Sequence, residues 1–230
     1  LALFGALCGV AVALWLPETL PQDAPRSALP QAPSKYLEIL KDRQFVIHAL
    51  TGGLAIAGMF AYIAGSPFVF IQLYGVPAEH YGWLFGANAA GFILLAQVNA
   101  WLMRWHGPAY WLKRTVWIYL LAALSLLGVS LLQTEALWPL LLPIFVVVAS
   151  LGCLLPNSTA CAMAGHGAQA GSASALLGFI QFTLAASASA MVGALHDGTA
   201  QPLALVISVC AGLAVVCTLL PVSQPKAAAK

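Results

Sequence analysis

Residues 137–164 read LWPLLLPIFVVVASLGCLLPNSTACAMA, a stretch without a single Asp, Glu, Lys or Arg. A run this long and apolar covers the ~30 Å hydrocarbon core of a bilayer as a helix, which takes about 20 residues. Lipid offers no water to unpaired N–H and C=O groups, so a spanning segment of this kind must pair its backbone internally. Working outward from it, the same criterion marks five further spans. With this stretch as span D, span A covers residues 45–73, B 80–105, C 110–133, E 171–195 and F 202–221. Turn residues separate them: Gly75 and Pro77, Gly107 and Pro108, Gln133 to Glu135, Gly165 to Gly167, and Asp197 with Gly198. The connections are short, so consecutive spans run antiparallel.

Composition agrees with that pattern. Of 230 residues, 61% are hydrophobic and 7% charged, against about 45–50% and about 25% in soluble domains. Nine basic and seven acidic side chains cannot form the solvated shell of a water-soluble globule. Disorder needs low hydrophobicity and high net charge, and is excluded. A net charge of +2 builds no phosphate-tracking surface, so nucleic acid is excluded as a partner. The reading is an all-α membrane protein, with membrane lipid as its surroundings.

The segments before span A read differently. Residues 1–16 are apolar, with no initiator Met and no basic start, which a signal peptide needs. They are expected to be the end of a membrane helix that starts upstream, making the chain a fragment. Residues 17–44 are expected to be a linker. Its first part carries five prolines, at 17, 21, 25, 30 and 33, and reads as extended chain. Its last part, from Ser34 as N-cap, reads as a short helix on the membrane surface, with Tyr36, Leu37 and Leu40 on one face.

Charge sorts the ends of the spans. Arg26, Lys35, Lys41 and Arg43 precede span A; Arg104, Lys113 and Arg114 flank the B–C turn; Lys226 and Lys230 follow span F. Every Lys and Arg thus falls on one side, while the opposite turns carry Glu79, Glu135 and Asp197. Cytoplasmic loops retain basic residues. The linker, the B–C turn and the tail, residues 222–230, are therefore expected to be cytoplasmic, around a six-helix domain of residues 45–221.

No charged residue lies well inside a span, so the chain has no obvious proton carrier of its own. Neutral polar groups are present, and each either lines a cavity or bonds a neighbouring helix. Pro67 in span A and Pro156 in span D lie at matching places in the first helix of two three-helix groups. These groups insert with opposite polarity, and matched helix breaks in inverted repeats point to a transporter's binding region. Small residues recur every four positions at Gly82, Gly86 and Ala90, and again from Gly171 to Gly193, a spacing read as close helix packing. The five cysteines are odd in number and form no CxxC, and no HExxH, GxSxG or Walker sequence occurs. The sequence therefore suggests no enzyme, no metal and no cofactor.

Five stretches carry a family resemblance: residues 58–70 (GMFAYIAGSPFVF), 82–88 (GWLFGAN), 155–160 (LPNSTA), 170–178 (AGSASALLG) and 196–199 (HDGT). Together they resemble the C-terminal half of a major facilitator superfamily drug/proton antiporter of the bicyclomycin-resistance (Bcr/CflA) type. The resemblance implies a twelve-span fold, of which this chain supplies the end of the sixth helix and all of the last six, as two inverted three-helix repeats. It implies a bacterial inner-membrane carrier that exports small amphipathic drugs in exchange for protons. The coupling carboxylate would lie in the missing N-terminal half. The superfamily's charged turn has a counterpart at residues 99–107 (NAWLMRWHG) that keeps Arg104 and Gly107 but lacks the Asp. For the substrate cavity, Met59, Tyr62, Ser66 and Phe70 share one helical face, and Asn88, Asn157 and Gln181 are candidates to complete the wall. A mixed aromatic and polar lining suits promiscuous apolar ligands. The competing reading is a self-contained six-span scaffold or channel-forming subunit.

Overall fold

The computed structural model describes residues 2–15 and 32–221. Most of the proline-rich linker and the whole tail at 222–230 lie outside the described residues. The chain divides into two units at Ser34 and Lys35. In the first, α1 (Ala2–Trp15) is an uninterrupted helix of apolar and small residues.

The helix read from Ser34 starts two residues earlier, as α2 (Ala32–Lys41). Ser34 therefore lies within its first turn and is no N-cap. Pro33 explains the shift, because proline is tolerated in a first turn, where its missing N–H has no acceptor to serve. The buried residue of α2 is Ile39, packed against a cluster of Phe45, Ala49, Ala162, Ala173 and Leu177. The chain breaks for one residue at Asp42, whose carboxylate accepts from Gln44 N–H at 2.8 Å and caps the next helix.

Six membrane-length helices follow: α3 (Arg43–Pro67, extended by a π-helical segment, Phe68–Leu73), α4 (Ala78–Leu102), α5 (Pro108–Leu131), α6 (Trp138–Met163), α7 (Ala170–Ala194) and α8 (Gln201–Leu219). Among the described residues these six are long and apolar enough to cross a bilayer, and they coincide with spans A to F to within three residues at either end. The turns between α3 and α4, α5 and α6, and α7 and α8 form an acidic end, and the remaining turns a basic end.

The packing shows how the two groups relate. Helix α3 packs on α7 and α8, while α6 packs on α4 and α5; α3 also meets α6, and α5 meets α8. Exchanging α3, α4 and α5 for α6, α7 and α8 leaves this set of partners unchanged. That is the signature of two inverted three-helix repeats wound into one bundle, with α3, α6 and α8 buried along most of their length and α4 and α7 largely exposed.

Two sequence readings need correction. Pro156 does not interrupt α6, which continues from Trp138 to Met163. It removes one donor, but α6 is packed against α3, α4 and α5 and keeps its helical path. Neighbouring helices of this kind absorb a membrane proline. The stripes of Gly82, Gly86, Gly171, Gly178 and Gly193 do not make close contacts either: a Cβ at any of them would meet open space among the described residues. Close approach occurs elsewhere. A Cβ on Gly58 would overlap the Tyr119 hydroxyl, and one on Gly152 would overlap the backbone carbonyl oxygen of Phe92.

Candidate functional site

Pro67 leaves the carbonyl one turn back without its usual donor. After it the helix widens: Tyr74 N–H reaches the Val69 carbonyl at 3.1 Å and Val76 N–H the Phe70 carbonyl at 2.9 Å. Such π-helical turns within a helix recur at functional sites. Here the wide turn carries Phe70, the last member of the face that Met59, Tyr62 and Ser66 begin.

That face looks onto α4, whose backbone stands apart from α3. Side chains bridge the gap. Asn88 Nδ2 donates to the Tyr62 hydroxyl at 2.9 Å, and Ser66 and Tyr81 join hydroxyl to hydroxyl at 2.9 Å. Phe85 stacks on Tyr62 with ring centres 5.9 Å apart, and Tyr81 lies 6.1 Å from both Phe85 and Phe70. A void of about 110 Å³ remains, bounded by Met59, Tyr62, Ile63, Phe85, Asn88, Ala89, Phe92 and Val148. Asn88 sits near the middle of α4, and Tyr62 lies in the part of α3 nearer the acidic end, so the void lies on the acidic side of the middle of α3. Five of the seven sequence candidates (Met59, Tyr62, Ser66, Phe70 and Asn88) thus belong to one seam.

The other two do not join it. Asn157 is fully buried and donates from Nδ2 to Asn99 Oδ1 at 2.7 Å. Cys153 donates to the same oxygen at 3.0 Å and accepts from Thr115 Oγ1 at 3.1 Å. This knot ties α4, α5 and α6 together. Gln181, on α7, lies beside Gly52 together with Ser158. Conversely, Tyr81 and Phe85 belong to the seam and were not among the candidates. They share a face with Asn88 at four- and three-residue spacing, the signal that would have found them.

At the acidic end, Thr199 donates to the Asp197 carboxylate from Oγ1 at 2.7 Å and from its N–H at 2.9 Å. These bonds hold that carboxyl below the usual carboxylate range, so the turn keeps its charge at neutral pH. Among the described residues no cluster of His, Cys, Asp and Glu could hold a metal ion.

Inverted repeats of this kind recur in secondary transporters. The chain matches the Major Facilitator Superfamily over residues 1–190 and belongs to that family. It is therefore a multi-pass membrane protein, and the family it belongs to is one of small-molecule transporters rather than of enzymes. It is 33% identical over 215 residues to an uncharacterized MFS-type transporter, YdgK, of Bacillus subtilis (strain 168), covering 92% of this chain and 52% of the relative. It is 23% identical over 180 residues to a bicyclomycin resistance protein homolog of Haemophilus influenzae, covering 78% of this chain and 45% of that protein. The chain spans about half the length of these curated relatives.

Proposed function

We propose that this chain is the C-terminal half of a proton-coupled multidrug efflux carrier of the Bcr/CflA type, exporting small amphipathic compounds by alternating access. The observation that carries the reading is the α3–α4 seam. Tyr62 and Phe85 offer stacked aromatic area, Tyr62 and Asn88 offer a few hydrogen-bonding groups, and the void they border is mostly apolar. Such a lining binds varied apolar ligands with little demand for fixed polar geometry. The likeness to a bicyclomycin resistance protein homolog supports the drug class.

In this reading the carrier lies in the bacterial inner membrane, with the linker, the basic end and the C-terminal tail in the cytoplasm, as the sorting of Lys and Arg favours. Proton coupling enters through the N-terminal half, because spans A to F contain no carboxylate at mid-depth to carry a proton. The test is drug-dependent proton release and drug uptake in inverted vesicles. The full-length carrier should show both, and Asn88→Ala should lower drug uptake per molecule. This chain expressed alone should insert but not move drug uphill. Uphill, proton-driven movement by the chain alone would place the coupling site within this chain and overturn the reading.

A further inference from the structure

A second cavity, of about 440 Å³, opens at the basic end of the bundle, where α3 and α5 begin and α6 and α8 finish. It shares no residue with the α3–α4 seam. Its polar lining comes from Gln44 and His48 of α3, Lys113 of α5 and Thr218 of α8, and its apolar wall includes Leu112 and Leu219.

Two features of this cavity ask for a ligand. His48 is 8% exposed, its Nδ1 is enclosed without any hydrogen-bond partner, and the ring borders the cavity. A buried imidazole with no partner loses the bonds that usually offset its desolvation. The second feature is positive charge. Lys113 brings an ammonium group to the rim, and α5 begins here with Gly107 as an N-cap that supplies no side-chain bond. The carboxylate that could neutralise this region, Asp42, is already engaged. It caps α3 through Gln44 N–H and meets His166 Nε2 at 2.9 Å. No acidic side chain lines the cavity.

We propose that this cavity binds a phosphate-bearing anion, with Lys113 supplying the charge, His48 and the Ala109 N–H at the start of α5 supplying donors, and Leu112 and Leu219 flanking the attached apolar part. Lysine acts as a point charge toward phosphate, and a helix N-terminus favours an anion through its dipole and free N–H groups. The position at a membrane–water boundary makes two sources chemically equivalent: the headgroup of an anionic phospholipid and free phosphate.

The test uses the purified full-length protein in detergent. Native mass spectrometry reads its retention of phosphatidylglycerol against phosphatidylcholine, and a thermal-shift titration reads inorganic phosphate. Lys113→Glu is the variant. Arg114→Glu is the control, because it makes the same charge change one residue away on a side chain that stacks over Tyr110 at 4.2 Å and does not line the cavity. For a lipid source, the parent retains phosphatidylglycerol in preference to phosphatidylcholine, Lys113→Glu weakens that retention roughly tenfold, the loss of about one charge-assisted contact, and Arg114→Glu does not. For free phosphate, a saturable thermal shift with inorganic phosphate disappears in Lys113→Glu alone. Equal losses in both variants mean diffuse surface charge and overturn the proposal. So does the absence of both lipid preference and phosphate shift in the parent. His48→Gln, which keeps a polar side chain, gives the same ranking if the cavity is the site.

Discussion

Asn88 and Asn157 are the same residue type in one bundle, each donating to a side chain on a neighbouring helix, but in different surroundings. At the α3–α4 seam the backbones stand apart, and long side chains reach across to one another around an apolar void. At the α4–α6 seam Gly152 admits the Phe92 carbonyl directly against α6, and Asn157 is consumed by Asn99 within a knot of short side chains. A polar residue in a membrane helix thus borders open space only where the backbones are held apart. Where glycine brings them together, the same amide becomes an internal fastener.

The sharpest way to break this contrast is Gly152→Ala. The new methyl would occupy the space of a backbone carbonyl, which cannot swing aside as a side chain does. Overpacking of this kind costs about 1–3 kcal/mol, so the full-length carrier should show the largest fall in membrane abundance and unfolding midpoint. Normal values would mean that the seam is not closed. Asn157→Ala should come next. Hydrogen bonds between membrane helices contribute about 0.6 kcal/mol on average and at most about 1.7. The midpoint should fall while transport per molecule stays near the parent value, and a double-mutant cycle with Asn99→Ala should recover the coupling. At the open seam the signs reverse. Tyr62→Phe keeps the stacked ring and removes only the hydroxyl that accepts from Asn88, so transport per molecule should fall about two- to tenfold, the value of one hydrogen bond. The smallest effect belongs to Ser66→Ala, whose bond to the half-buried Tyr81 should be worth less than about a factor of three in transport. A larger loss there than in Tyr62→Phe would move the ligand toward Tyr81 and the π-helical turn.

The six spans were legible because a membrane helix announces itself in one dimension, through length and the absence of charge. The face formed by Met59, Tyr62, Ser66 and Phe70 was legible for a similar reason, since helical spacing puts those residues together before any fold is known. What faces what was not legible. Nothing in the spacing of span D distinguishes Asn157 beside a void from Asn157 beside Asn99, because that depends on how closely α4 approaches. Gly152, the residue that sets this approach, drew no attention in the sequence. The exposed Gly82–Gly86 stripe did, because spacing reveals a smooth surface but not whether a neighbour lies on it. Pro67 and Pro156 read alike, yet only the first is followed by a change of helix type: the π-helical segment starts at Phe68, whereas α6 stays α-helical from Pro156 to Met163.

The exchange of partners between the repeats has a consequence for how the chain is made. Helix α3 leaves the ribosome first of the six, but the helices it packs on most closely, α6, α7 and α8, are synthesised last. Neither repeat can therefore act as an independent folding unit during synthesis. Until α7 and then α8 have been threaded into the bilayer, Gly53 lacks its neighbour Leu184, and Gly65 lacks Val192 and Leu203. Assembly is held to the end of translation, and a nascent chain halted after α5 has inserted helices but no core.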